Sequence, residues 1–259
     1  MMLVSKLAER ILVCTEMDSH LLVPTSLDKR RILQKAGLCL YALNVSDDEA
    51  YRYLSGISTH QLRRYLDRFY LWIPVNDFTK RQMLIDEFFE VIAREYDLLI
   101  DRQRNLENIA NLITFLKQFC VIEQDTLVLD YGSGTGLSML VEQTRGIRIV
   151  GVERSQAMRE IAASRGMNVW GPGTLARQAR GSVDAAFASY VFHLLPNPGG
   201  LKLLSMRLKI GGVLVANFHK GEGVEFVTRH LTESGCSSRT VMPTVAENRH
   251  GVYVAYVKR

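Results

Sequence analysis

Cysteine is scarce and scattered. Cys14, Cys39, Cys120 and Cys236 form no C-x-x-C pair, and no histidine stands at ligand spacing from any of them. This excludes a disulfide framework and a structural zinc centre, and it leaves thiols of the kind that proteins ordinarily bury. No metal site is expected. Long apolar runs are also missing: none approaches the roughly 18–20 residues that span a bilayer. The opening stretch MMLVSKLAERILVC is broken by Lys6, Glu9 and Arg10, so it lacks the uninterrupted apolar centre of a secretory signal, and a cytoplasmic protein is expected. Internal repeats, low-complexity tracts and flexible linkers are absent as well.

What is present is an ordinary globular composition, 47% apolar and 23% charged, over 259 residues, a length that suits two domains. The net charge of +5 is unevenly distributed. Up to Asp125 there are 16 Lys and Arg against 18 Asp and Glu; beyond it the counts are 16 and 9. The basic excess of the second half suits an acidic substrate or a solvated surface.

The first 120 residues are predicted to be all helical. Leu27, Ile32, Leu33, Ala36, Leu40 and Leu43 recur near a helical period. Ser46-Asp47-Asp48-Glu49 has capping-box spacing and opens a short helix to about Leu54. Ser58-Thr59-His60-Gln61 repeats that signal ahead of a helix to Trp72, which Pro74 ends. Thr79 starts a longer helix running to Leu99, and Leu106 to Phe119 form another. After Val121 short Val- and Ile-rich runs take over: Thr126–Tyr131, Arg148–Glu153, Asn168–Trp170, Val183–Ser189, Gly212–Phe218, Arg239–Val245 and Gly251–Val257. The first five are separated by crossover-length segments, which predicts a parallel sheet with helices on both faces. Only Ala246–His250 separates the last two, which predicts an antiparallel hairpin. The expected fold is α/β, a seven-stranded, mostly parallel, doubly wound sheet over 121–259, preceded by an all-α domain over 1–120.

The sharpest motif is Val128-Leu129-Asp130-Tyr131-Gly132-Ser133-Gly134-Thr135-Gly136-Leu137: a strand, a glycine-rich turn, then a helix expected from Leu137. Such a turn at the carboxyl end of a central parallel strand floors a ligand crevice. Glu153 closes the next strand, 21 positions past Gly132, where a carboxylate can accept hydrogen bonds from both hydroxyls of a ribose. The spacing is G-x-G-x-G, and Leu137 stands where a dinucleotide site has its third glycine or alanine. Asp130 would repel a pyrophosphate, whereas it suits a ligand carrying an ammonium and a sulfonium. S-adenosylmethionine is such a ligand.

On these residues the segment 126–259 resembles a class I S-adenosylmethionine-dependent methyltransferase of the small-molecule type. Val183–Ser189 followed by Val191-Phe192-His193-Leu194-Leu195-Pro196 is similar to the fourth strand and its exit in that family, and Leu208–Val215 to the turn into the fifth strand. The resemblance implies a cofactor site made of Asp130, Tyr131, Gly132, Ser133, Gly134, Gly136, Glu153, Arg154, Thr174, Leu175 and Ser189. Trp170-Gly171-Pro172-Gly173-Thr174-Leu175 stands where the family often has an acid or amide for the adenine, so backbone groups and Leu175 are expected there. His193 and His219, after the fourth and fifth strands, are the candidate bases, with His193 preferred; each also reads as a packed or solvated residue, and Tyr190 as a pocket or packing residue. Neither an Asn/Asp-Pro-Pro-aromatic run nor a Pro-Cys pair after the fourth strand is present.

The expected activity is methyl transfer to an O, N or C atom of a small organic acceptor. The helical first domain is expected to cap the site, with Phe69, Tyr70, Trp72, Phe78, Phe88 and Phe89 lining or supporting an apolar pocket, or to form a homodimer. A competing reading makes Asp47–Leu54 and Thr59–Trp72 a DNA-binding helix-turn-helix, weakly similar to MerR-type regulators. The acidic balance of that half opposes it, so nucleic acid is not the expected partner. A third reading is an inactive methyltransferase-fold interaction protein.

Overall fold

A computed structural model describes residues 10–22, 27–35, 37–194, 196–221, 223–241 and 250–259. The chain divides into two compact units, 1–100 and 101–259. The first unit is α/β, which corrects the all-helical expectation. It contains β1 (Ile11–Thr15), β2 (Lys29–Lys35), β3 (Leu38–Leu43), α1 (Asp47–Leu54), β4 (His60–Tyr65), β5 (Phe69–Pro74), α2 (Phe78–Ile92) and α3 (Tyr96–Leu99). Its sheet has the order β2-β3-β1-β5-β4.

The helix expected over 27–43 is the antiparallel hairpin β2–β3, with Gly37 at φ 78° between the strands. Side chains alternate across this sheet. Ile11, Val13, Leu38, Leu40, Phe69, Leu71 and Ile73 meet Leu84, Phe88 and Ile92 of α2 on one face. Leu12, Cys14, Cys39, Leu43, Tyr70 and Trp72 meet Ala50 and Leu54 of α1 on the other. A strand buried on both faces reads as a continuous apolar run and loses the alternation that marks a strand.

The helix expected over 59–72 is likewise the hairpin β4–β5, so the helix-turn-helix lacks its second helix. Only α1 of that pair forms, with the predicted capping box: the Ser46 hydroxyl accepts from the Glu49 N–H at 3.3 Å, and the Glu49 carboxylate accepts from the Ser46 N–H at 3.0 Å. The aromatic residues expected to line or support a pocket differ in burial. Phe69, Tyr70, Trp72 and Phe88 are fully buried in the unit's own core, whereas Phe78 is exposed.

The second unit begins with α4 (Arg102–Leu116), which the sequence placed in the first domain. It continues through β6 (Leu127–Tyr131), β7 (Arg148–Val152), α5 (Gln156–Ser164), β8 (Asn168–Trp170), α6 (Pro172–Arg177) and β9 (Val183–Ala188). The last elements are α7 (Pro198–Arg207), β10 (Leu208–Phe218), α8 (Val224–Glu233), β11 (Cys236–Val241) and β12 (Val252–Lys258). The sheet order is β11-β12-β10-β9-β6-β7-β8. Strands β6 to β10 are parallel, and β12 runs antiparallel between β10 and β11. The strand expected over Arg239–Val245 thus starts at Cys236; positions 242–245, and the connection up to 249, lie outside the described residues.

No helix among the described residues is long and apolar enough to cross a membrane. One expected helix is replaced: after the glycine turn come single 3-10 turns, Leu137–Leu140 and Glu142–Thr144. Helix α4 packs on these turns and on β9 and β10. Its Asn108 donates to the Ser189 hydroxyl at 2.8 Å and accepts from the Tyr253 hydroxyl at 2.7 Å.

Candidate active site

The sheet reverses its order at β6, which pairs with β7 on one side and β9 on the other. The carboxyl ends of strands at such a switch point splay apart into a crevice. Asp130, Tyr131 and the glycine turn leave β6 there, Glu153 follows β7, and Ser189 and Tyr190 follow β9. Gly132, Gly134 and Gly136 all have positive φ, 77°, 52° and 79°. Gly132 is confined by sterics as well: a Cβ on it would lie 2.4 Å from Cγ2 of Val191. The turn can therefore close only where no side chain stands.

Glu153 joins the two strand ends. One carboxylate oxygen accepts from the N–H groups of Arg154 (2.7 Å) and Ser155 (2.8 Å), and the other accepts from the Gly134 N–H at 3.0 Å. Two carboxylate oxygens offer about four lone-pair positions. The acid is thus oriented by three backbone amides at the carboxyl end of β7. Behind it Arg159 donates to the carbonyls of Glu153 (3.0 Å) and Arg154 (2.5 Å), a contact the sequence did not reveal.

Asp130 is buried beneath the turn and accepts from the Ser138 hydroxyl at 2.6 Å. Burial first, and then the neighbouring charge of Glu153, push its carboxyl up to about 7, while the Ser138 hydrogen bond pulls the other way. A cation bound beside it would draw the value down. The Ser133 hydroxyl is also buried and has no hydrogen-bond partner among the described residues. An acid held by backbone amides beside the glycine turn and a buried carboxyl that a cation would relieve fit S-adenosylmethionine.

The remaining expected site residues differ in burial and in the partners they meet. Tyr131 turns towards α7, where its hydroxyl would be 2.9 Å from a Cβ on Gly200, and burial pushes its phenol up to about 12. Leu175 is buried in the apolar core of the sheet. The Thr174 hydroxyl accepts from Arg177 at 3.3 Å, and the Ser189 hydroxyl is taken by Asn108 of α4. His193 sits half-buried on the single turn Phe192–Leu194. Arg154 is exposed at the end of β7. Among the described residues no group of three or more His, Cys, Asp or Glu side chains could hold a metal ion.

A second polar cluster flanks this crevice: Tyr190, Asn217, His219 and His250, with Arg104 of α4. Sequence reading had named Tyr190 and His219 singly and had missed Asn217, His250 and Arg104. Register carries the missing signal, because the antiparallel pairing of Phe218 with Val252 sets His219 against Gly251, the residue after His250.

The description "Methyltransferase domain" belongs to the family profile that matches residues 129–216, from the glycine turn through β10. No curated protein matches the chain. Among solved structures, an S-adenosylmethionine-dependent methyltransferase from Aquifex aeolicus is similar at 18% identity and a TM-score of 0.50, over 65% of this chain and 97% of that one. A TehB-like S-adenosylmethionine-dependent methyltransferase from Corynebacterium glutamicum is similar at 16% identity and a TM-score of 0.50, over 65% and 99%. A putative S-adenosylmethionine-dependent methyltransferase from Methanococcus maripaludis is similar at 12% and 0.50, over 69% and 93%. At such identities the structures speak for the fold alone, and the profile for the stretch it matches. Residues 129–216 of this chain match a methyltransferase-domain profile, and the second unit has the fold of S-adenosylmethionine-dependent methyltransferases.

Proposed function

We propose that the chain transfers the methyl group of S-adenosylmethionine to an O, N or C atom of a small organic acceptor. One observation carries this reading: the Glu153 carboxylate is anchored to the Gly134 amide of the glycine turn, so the ribose acid and the loop form one preassembled surface. The cofactor supplies an electrophilic methyl on a sulfonium, a good leaving group. What remains for the protein is alignment and exclusion of water. Glu153 orients the ribose, Asp130 faces the positive charge from beneath the turn, and Gly132 and Gly134 let the ligand approach the backbone. Arg154, Thr174, Leu175 and Ser189 complete the cofactor side in this reading, with backbone groups of the 171–175 turn against the adenine.

His193, on the turn after β9, is the first candidate base for an acceptor that must lose a proton. Its replacement by Ala tests that role: turnover falls while cofactor affinity holds if the imidazole is the base, and both hold if it only packs. The reading as a whole is tested by titrating the protein with S-adenosylhomocysteine in a calorimeter. Saturable heat supports it, and no binding at millimolar ligand removes it.

A further inference from the structure

The second polar cluster is drawn from four separate stretches of the second unit. Tyr190 leaves β9 with φ 55°, a left-handed conformation that a side-chain-bearing residue adopts only when its surroundings hold it there. The hold is Asn217, wholly buried on β10, whose Oδ1 accepts from the Tyr190 N–H at 2.7 Å. The same amide donates through Nδ2 to the His250 carbonyl at 2.9 Å. His250 is buried too, and its Nδ1 lies 2.7 Å from the Tyr190 hydroxyl. The next residue, Gly251, has φ 88° and runs so close to β10 that a Cβ would stand 2.1 Å from the Phe218 carbonyl oxygen. Only glycine lets the chain turn His250 inwards at that point. Arg104 hydrogen-bonds the Tyr190 hydroxyl from the first turn of α4, and the His219 ring meets the tyrosine edge-on at 6.2 Å. A strained tyrosine, an amide serving both partners and an obligatory glycine all fix one oxygen–nitrogen contact, which a tyrosine that merely filled space would not need.

We propose that Tyr190 and His250 form a proton relay on the acceptor side of the site and that the acceptor atom is the oxygen of a hydroxyl group. This rests on the methyl-transfer reading. A neutral amine attacks through its lone pair and sheds its proton afterwards, whereas a hydroxyl is a poor nucleophile unless its proton leaves during the attack, so a built relay selects the hydroxyl. The phenol oxygen has two acceptor positions and one proton. Arg104 donates to one position, the proton goes towards Nδ1 of His250, and the second position remains for the acceptor O–H. Burial keeps the phenol above its ordinary range, against the pull of Arg104, so Tyr190 holds its proton until the transfer. In the step the carbon–sulfur bond breaks as the carbon–oxygen bond forms. The acceptor proton moves to Tyr190, the tyrosine proton moves to Nδ1, and the positive charge lost at sulfur reappears on the imidazolium of His250. Tyr190 is the catalytic residue, and His250 acts through it.

Nitrogen-15 NMR of histidine-labelled protein at pH 7.5 tests the relay without any acceptor, with His250→Asn identifying the resonances. Nδ1 of His250 is expected to be unprotonated and hydrogen-bonded, with the proton on Nε2, and Tyr190→Phe is expected to shift the Nδ1 resonance. A proton on Nδ1, or an imidazolium in the resting protein, overturns the relay. Turnover is then read with S-adenosylmethionine and phenol, catechol or glycerol as acceptors. Tyr190→Phe is expected to lower kcat at least about 100-fold with KM nearly unchanged. His250→Gln, which can accept the tyrosine hydrogen bond and cannot store a proton, is expected to fall as far. Full activity in either variant, or no turnover of any of the three hydroxyl acceptors, overturns the proposal. Failure of the wild-type protein to bind S-adenosylhomocysteine is a separate result and removes the methyl-transfer reading itself.

Discussion

Replacing Asp130 by Asn tests whether the glycine turn holds an unfavourable buried charge that a cationic ligand would relieve. The folded protein carries this carboxyl at about 7, against 3.8 in water, chiefly because it is buried. An acid raised on folding makes stability fall as pH rises. Below 3.8 both states hold the proton. Between 3.8 and about 7 the unfolded chain gives it up first, and above that range the folded protein bears the whole cost. At about 1.4 kcal/mol per pH unit the cost reaches about 4 kcal/mol, an upper figure because relaxation and water entry lessen the penalty of a buried charge. Asn keeps an oxygen for the Ser138 hydroxyl and has no charge to bury. Asp130→Asn is therefore expected to be more stable than the wild type by about 2–4 kcal/mol at pH 8 and by less than half as much at pH 5. Urea unfolding of both proteins at the two pH values measures this, and taking the difference between them cancels every other titrating group. The variant is also expected to lose cofactor affinity, and the wild type to release a proton on binding near pH 7, visible as a buffer-dependent heat. An equal stability difference at both pH values would refute the reasoning.

Glu153→Ala removes the acceptor that holds the ribose end and should weaken S-adenosylhomocysteine binding by about 1–3 kcal/mol; calorimetry showing unchanged affinity counts against the assignment. Gly132→Ala forces a side chain onto φ 77° and into Val191, for an expected loss of about 2–4 kcal/mol in urea unfolding. Adding Val191→Ala should return the steric part, and strict additivity of the two substitutions would contradict the contact. Asn217→Ala strands the Tyr190 N–H and the His250 carbonyl together, for an expected loss of about 2–4 kcal/mol; a change under about 0.5 kcal/mol would mean that the amide is not their shared partner.

The second unit was legible because its strands are short Val- and Ile-rich runs set apart by crossover lengths, and Asn168–Trp170 forms with the boundaries read from sequence. Asp130 and Glu153 could be found because strand ends and glycine turns fix positions locally. The first unit misled for a physical reason. Strands such as Leu38–Leu43 and Phe69–Pro74 are covered on both faces, so their apolar residues are nearly continuous and also satisfy a helical spacing. Pairs made across the sheet, such as Tyr190 with His250 or Asn108 with Tyr253, depend on register between strands and helices far apart in the chain, and local pattern carries no trace of them.

The place of α4 sets where this chain can be cut. A fragment starting at 121, where the sequence alone suggests a boundary, would strip away Asn108, Leu112, Ile113 and Leu116, all buried, and bare the flank of β9 and β10 to water. Such a piece should precipitate or expose dye-binding surface. A dissection that respects the molecule has to fall before Asp101, and only a product that begins there should remain in solution with its Ser189 and Tyr253 hydroxyls still engaged.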